Sequence, residues 1–432
     1  MTHSDWEKVK DTDWDSLHPE LADRELFVHR EREFEEGKSL FPHYTNAREN
    51  GTCPFFIDNR CFIHGYLGRE NKPRMCRLFP YTFVSTPTGI YVGLMYGSNA
   101  AVRNMGQLLS DQRPILEEMW RASVDHGLEM TKVATDVLAK IDSVSTGENV
   151  VAEEFTVALS SGLTITWTEY LELEERLIRL FRSDQIANFC YLFLSGGEII
   201  VEAIRMKRAG EDWSGLKSFE PITDEWLGNA PSLVENRLFY VLCFSNFVWP
   251  GFRRQYQDLQ RGKDKNPLTN HKIIGSVMRA VLFKEIDLPQ IGKIRLDKCL
   301  GMPINALSSE VNDFLRRYVY LRLFSKTYFG SAFCGLSVLS GYNTMVASFL
   351  CAMIFAKSYA FARGVRSVAV ADFYEAYALL DDEMVALSQL PGDRSAFYDI
   401  GFSSPRLFNR LRGSMAVSIG AYEDCPVQNV HF

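Results

Sequence analysis

The pattern of hydrophobic and polar positions divides the chain into three parts. Residues 1–48 are polar, with scattered apolar positions that predict short helices and loops. The segment 53–104 loses helical periodicity, and the β-branched and aromatic run 89–96 predicts a strand that follows a turn at 86–89. Beyond residue 105, apolar residues recur at helical spacing. This pattern predicts a helical region that occupies most of the chain.

The predicted fold is therefore mainly α, with a small irregular cysteine-rich module and a short hairpin near residues 82–96, packed on a large helical domain. The domain boundary falls at 104/105, the cysteine module has its core at 53–80, and the candidate linker is 143–149. Gly196 and Gly197 lie in an apolar helical stretch and predict a break in the helix. A capping pattern, with Glu169 three residues after Thr166, predicts the start of another helix. Helices are predicted around 114–141, 166–181, 184–208, 232–248, 272–284, 309–326, 340–363 and 371–390.

The longest apolar stretch runs from residue 331 to residue 356. Serine, threonine, asparagine and tyrosine residues interrupt it, whereas a membrane-spanning helix needs about 20 predominantly apolar residues. We therefore predict a buried core helix rather than a membrane span. Residues 1–8 form no apolar segment of a signal peptide, so the expected location is the cytoplasm, with no membrane partner.

Composition and charge narrow the classes of partner. The 432 residues carry a net charge of -7, and no basic run stands out, so the chain would repel nucleic-acid phosphates. Nine cysteines are spread from Cys53 to Cys425, and six of them stand singly among apolar residues, unlike a secreted disulfide framework. We therefore expect neither a nucleic-acid partner nor a disulfide-stabilised secreted domain.

One segment carries candidate chemistry. Cys53, Cys61 and Cys76 place three thiols within 24 positions of a loop-rich stretch, and His64 follows Cys61 by three. Thiolates bind zinc and iron because they are soft and anionic, and a closed site generally needs four ligands. The cysteines are predicted metal ligands, with His64 as a candidate fourth and Arg77 as a candidate donor to the thiolates. Three unpaired structural cysteines are the alternative interpretation.

The amino-acid sequence of this cysteine segment resembles that of a known protein family. Cys-Pro-Phe-Phe at residue 53, Cys-Phe-Ile-His at residue 61 and Lys-Pro-Arg-Met-Cys-Arg-Leu-Phe-Pro at 72–80 look like the YkgJ-type cysteine-cluster proteins, described as zinc- or iron-chelating. Long members of that family include flagellin lysine-N-methylase and carry a helical region after the cysteines. The resemblance implies a zinc ion, an iron ion or an iron–sulfur cluster. For a methylase it also implies S-adenosylmethionine and a protein substrate.

Two features depart from the family pattern. Members usually begin with a cysteine run upstream of the Cys-Pro-Phe segment, whereas no cysteine precedes Cys53 here. Long members also tend to have a cysteine where this chain has Asn99. Three functions follow as hypotheses: a metal- or iron–sulfur-binding protein with an incomplete ligand set, a protein lysine N-methyltransferase, or a helical scaffold with a vestigial metal site.

No other catalytic signature stands out in the sequence. The chain contains no phosphate-binding loop, no His-Glu-x-x-His zinc motif and no Gly-x-Ser-x-Gly nucleophile elbow. The sequence therefore predicts the metal-binding segment as its single candidate site, and it assigns no catalytic residue.

Overall fold

The computed structural model is mainly α, as predicted. The predicted helices at 232–248 and 272–284 and the linker at 143–149 lie outside the residues that the structure describes. Those residues are 1–36, 41–48, 52–58, 60–124, 155–183, 188–216, 285–288, 291–299, 308–333, 335–387, 399–409 and 411–412.

The helices of the described residues range from single turns near the N-terminus to seven turns in the C-terminal half. In chain order they are α1 His3–Glu7, α2 Trp14–Leu17, α3 Glu31–Glu35, α4 Phe62–Leu67, α5 Arg74–Leu78, α6 Asn99–Val102, α7 Arg113–Val124, α8 Trp167–Arg182, α9 Phe189–Ala209, α10 Leu296–Cys299, α11 Ser309–Phe324, α12 Val338–Ala362 and α13 Val370–Leu387.

The strands of the described residues form two-stranded sheets, each made by consecutive strands. In chain order they are β1 Phe27–His29, β2 His43–Thr45, β3 Phe56–Ile57, β4 Arg60–Cys61, β5 Tyr81–Thr86, β6 Gly89–Leu94, β7 Thr156–Ser160, β8 Leu163–Thr166, β9 Glu285–Leu288 and β10 Gly292–Arg295. The β5–β6 pair occupies the region where the sequence predicted a short hairpin.

The chain divides into two compact units. The small unit comprises 1–82 and 107–135, and the large unit comprises 83–106 and 136–432. The segment 107–124, which the sequence analysis assigned to the helical domain, belongs to the small unit. The cysteine segment therefore lies in a unit that also contains α7.

The small unit has a hydrophobic core of its own, built from short elements. Apolar residues of α1, α2, β1, β3 and α4 contribute to it, and aromatic rings meet edge to face. Cys61 is partly buried and packs against this core. The fully or nearly buried members are Met1, Val9, Trp14, Leu21, Leu26, Phe27, Phe55, Ile57 and Ile63.

The large unit is organised around α12. Twenty-one of the 25 residues of this helix are buried, so it has no polar face. It is the only helix among the described residues that is long and apolar enough to cross a membrane, and 78% of its most apolar window is buried. Burial by neighbouring protein is typical of a core helix in a soluble protein, as predicted.

Several hydroxyl and amide donors of α12 form hydrogen bonds inside the core. The hydroxyls of Thr344, Ser348 and Ser358 each donate a hydrogen bond to the carbonyl oxygen four residues earlier, at 2.8–2.9 Å. The Asn343 amide donates to the Phe402 carbonyl at 2.7 Å, and Tyr342 donates to the Phe193 carbonyl at 2.6 Å. Because these donors have partners, the helix can bury them at little cost.

The predicted break at Gly196 and Gly197 is wrong. Both residues lie within the continuous helix α9, where a Cβ at Gly196 would overlap the Tyr342 hydroxyl and one at Gly197 would overlap the Phe408 ring. The two glycines allow close approach of neighbouring side chains, and this gain offsets their low helix propensity. A single sequence cannot distinguish a packing glycine from one that ends a helix.

A buried ion pair joins α8 to the segment after α11. The Lys326 ammonium lies 3.0 Å from Glu174, and both side chains are almost completely buried. The Tyr170 hydroxyl donates a second hydrogen bond to Glu174 at 2.9 Å, and the ammonium lies 3.2 Å from the centre of the Tyr91 ring. Burial raises the pKa of Glu174 and lowers that of Lys326, while each partner favours the charged form of the other.

We predict that Gly341→Ala destabilises the large unit. The added Cβ would overlap the carbonyl oxygen of Tyr328, a backbone atom that cannot rotate away. Overpacking of this kind costs about 1–3 kcal/mol. Urea unfolding followed by circular dichroism should show a lower midpoint. Gly401→Ala is the matched control, since nothing lies within 4 Å of its Cβ position, and an equal loss in both variants would contradict the prediction.

We also predict that Glu174→Gln destabilises the large unit by about 3–5 kcal/mol, because it leaves a buried ammonium without its carboxylate. Combining Glu174→Leu with Lys326→Met should recover most of that loss. Glu175→Gln is the control, since this exposed neighbour pairs with Arg179 on the surface and such a pair contributes about 0.5 kcal/mol or less. Equal urea midpoints for Glu174→Gln and Glu175→Gln would show that the buried pair contributes little.

Candidate metal centre

A tight hairpin positions the first two predicted ligands. The Phe56 nitrogen donates to the Cys53 carbonyl at 3.0 Å, which closes a turn immediately after Cys53. Strands β3 and β4 then pair antiparallel, with Phe56 opposite Cys61. The turn and the hairpin together return the chain, so that residues eight apart in sequence lie on neighbouring segments.

The third predicted ligand, Cys76, lies on α5. Its thiol is close enough to Cys53 and Cys61 that a negative charge on either of them raises its pKa, and Cys61 raises the pKa of Cys53 in the same way. Coulomb effects of this kind act over short distances in a protein. The three thiols come from three separate segments, and their charges act on the pKa values of Cys53 and Cys76.

Burial and local donors act on these thiols in opposite directions. Burial of part of each side chain is the main cause of the raised pKa values of Cys53 and Cys76. At Cys53 the Phe55 backbone N–H and the Thr45 side chain form hydrogen bonds that favour the thiolate. Hydrogen bonds from N–H and O–H groups to sulfur also stabilise thiolates that bind metals.

The three sulfurs are too widely spaced to bind one metal ion together without rearrangement. In a tetrahedral zinc site, sulfur ligands at 2.3 Å from the metal lie about 3.8 Å apart. Among the described residues, at least one pair of these three sulfurs lies more than 4.8 Å apart. The donor chemistry fits a thiophilic metal ion, and coordination of one ion by all three thiols requires the side chains to move closer together.

The two accessory residues predicted from sequence lie on different elements. His64 is exposed on α4, one turn after Cys61. Arg77 follows Cys76 on α5 and lines a cavity of about 250 Å³ in the small unit, with its buried Nε lacking a hydrogen-bond partner. Arg69 and Arg74 line the same cavity.

A second group of metal-type donors was not predicted. His3, Glu31 and His43 offer three donor atoms that all lie within 4.8 Å of one another, and this group alone meets that criterion among the described residues. His43 is completely buried, and His29 lies beside it. Burial, followed by the neighbouring His29 and His3, lowers the pKa of His43 and favours the neutral imidazole.

A compositional signal for this group exists in the sequence. Five of the eight histidines lie within the first 64 residues: His3, His18, His29, His43 and His64. Their irregular spacing matches no short zinc motif, so the sequence singles out only His64, which follows Cys61 by three residues. The contacts among the others depend on strand pairing between distant segments.

No protein-family model, no curated protein and no solved structure matches this chain. The function is therefore argued from the donor groups of the small unit alone.

Proposed function

We propose that the small unit is a metal-binding module that holds a thiophilic metal ion, zinc or iron, through Cys53, Cys61 and Cys76. The observation that carries this proposal is the placement of the cysteines: the turn after Cys53 and the β3–β4 pair put Cys53 and Cys61 on neighbouring segments. Cys76, on α5, is near enough that the charges of both other thiols raise its pKa.

The environment of the thiols supports ligation. Cys53 and Cys76 remain partly exposed, so an ion can reach them from solvent. Lys72 and Arg48 lie near enough to lower the pKa of Cys76 and Cys53, respectively, which opposes the effect of burial and favours the charged ligand form. Neighbouring thiolates repel one another because they carry like charges, and a bound cation offsets that repulsion.

The other described cysteines have a different environment. Cys190 and Cys351 are fully buried in the large unit, and burial alone raises their pKa well above the usual range for a thiol. Such thiols act as small hydrophobic side chains. The contrast supports a binding role for the three clustered cysteines and a packing role for the single ones.

Metal analysis of protein purified without oxygen tests the proposal. We expect at least one equivalent of zinc or iron per chain, with sulfur-to-metal charge-transfer absorption in the iron form or after cobalt substitution. Cys76→Ser should remove that absorption and lower the metal content, because it deletes one of three thiol ligands. Cys190→Ala is the control, and its metal content and spectrum should match those of the unsubstituted protein.

Two results would overturn the proposal. The first is a folded protein that contains no metal, gains none from added zinc or cobalt, and keeps the same melting temperature in chelator. The second is a cobalt form without any sulfur-to-metal band. Either result would leave the cysteine segment as a structural part of the small unit.

A further inference from the structure

Three histidines and a glutamate meet at one edge of the small unit. Strands β1 and β2 pair antiparallel with His29 directly opposite His43, so the two imidazoles share one face of the pair. Helix α1 brings His3 to the other side of His43, and Glu31 begins α3 two residues after His29. Residues up to 40 positions apart therefore form one cluster.

Local structure holds His3 in this place. The Thr2 side chain accepts a hydrogen bond from the Asp5 nitrogen, and the Asp5 carboxylate accepts one from the Thr2 nitrogen, which forms a capping box at the start of α1. The Met1 nitrogen donates to the His43 carbonyl at 2.5 Å. The Met1 contact joins the start of α1 to β2, and the capping box stabilises the helical turn that contains His3.

The distances between the donor atoms match those of a coordinated ion. The Nε2 atom of His43 lies 3.2 Å from Nδ1 of His3 and 3.7 Å from a carboxylate oxygen of Glu31. Two nitrogen ligands about 2.0–2.1 Å from a tetrahedral metal are separated by about 3.3 Å. We infer that His3, Glu31 and His43 form a divalent metal site, distinct from the site of the cysteines.

His29 orients the central ligand. Its Nδ1 atom lies 2.9 Å from Nδ1 of His43, and a contact this short between two imidazole nitrogens requires one hydrogen between them. When His43 provides that hydrogen, its Nε2 lone pair faces His3 and Glu31. Metal-binding histidines commonly donate their second ring N–H to a neighbouring acceptor in this way.

The packing around the cluster supports a fixed geometry. The Trp6 ring lies 4.7 Å from the His29 ring and 5.2 Å from the His43 ring, measured between centroids. His43 itself has no exposed surface. Because the indole and the strand pair hold two of the rings, an ion that enters the site meets donors whose orientation is already determined.

The donor types define the class of metal. Two imidazoles and one carboxylate suit a borderline divalent transition metal such as zinc, iron or cobalt, whereas calcium and magnesium prefer oxygen ligands alone. His3 and Glu31 are exposed, so the remaining coordination position faces solvent. Three protein ligands with an open position occupied by water are typical of catalytic zinc sites rather than of structural ones.

The same groups can also be satisfied without a metal. In that arrangement His3 donates from Nδ1 to Nε2 of His43, and His43 donates from Nδ1 to Nδ1 of His29. This hydrogen-bond chain leaves Glu31 without a role in the cluster, since its carboxylate lies 3.7 Å from Nε2 of His43, beyond hydrogen-bond distance. Replacement of Glu31 therefore separates the two accounts.

Cobalt titration of the full chain, stripped of metal and kept reduced, tests the inference. In Cys76→Ser, we expect bound cobalt to give visible ligand-field bands without sulfur-to-metal absorption. In the unsubstituted protein, the same ligand-field bands should appear together with the sulfur-to-metal absorption of the thiol site. His3→Gln and Glu31→Gln should each weaken this binding by at least about tenfold, and His29→Gln, which removes the orienting contact, by about 10–100-fold. His3 and Glu31 are exposed, so their replacement should leave folding intact.

Two matched controls keep the test specific. Glu35→Gln removes an exposed carboxylate from the same helix as Glu31, and His18→Gln removes another imidazole of the small unit, so both should bind cobalt as the unsubstituted protein does. Unchanged cobalt affinity in His3→Gln and Glu31→Gln, or no cobalt bound with nitrogen and oxygen ligands in any form, would overturn the inference. Loss of the sulfur-to-metal band alone, in Cys76→Ser, bears on the thiol site and not on this one.

Discussion

Burial of α12 on every side of the helix is the constraint on which the large unit depends. A helix without a polar face must be covered on all sides, and α8, α9, α11 and α13 belong to the hydrophobic core that includes it. Its hydroxyl and amide donors then need partners within the protein, and Asn343, Thr344 and Ser348 donate to carbonyl oxygens of their own helix or of another segment. The glycine at residue 341 follows from the same constraint, since the Tyr328 carbonyl occupies the space of a Cβ.

The small unit follows a different principle. Its helices near the donor groups are one or two turns long and its strands have two or three residues, so neither element type provides an extended apolar face. Aromatic contacts, caps and short strand pairs hold these segments instead. Such a unit gains more from a bound ion than a helical core does, because metal ligation adds free energy to a folded state that buries little apolar surface. Both groups of donor residues lie in this unit.

Local sequence patterns predicted the parts of the structure that local interactions stabilise. The capping box at Thr166 and Glu169 forms as expected, with hydrogen bonds of 3.2 and 2.8 Å, and α8 buries its apolar stripe. The buried state of α12 also followed from sequence, because polar interruptions every few residues are compatible with a protein core and costly in a lipid bilayer. Gly196 and Gly197 show the limit of this reasoning, since their role depends on Tyr342 and Phe408, which lie far away in sequence.

The sequence by itself determined the mainly α fold class, the core helix and the three thiols as candidate ligands, because helical periodicity and the spacing of cysteines are local properties of the chain. Only the tertiary structure decided that His3, Glu31 and His43 share one site. The pairing of β1 with β2 sets His29 opposite His43, and a shift of one residue in that register would turn the imidazole to the other face. The register between two strands that are distant in sequence produces no periodic pattern along the chain. For that reason the site is apparent only in the structure.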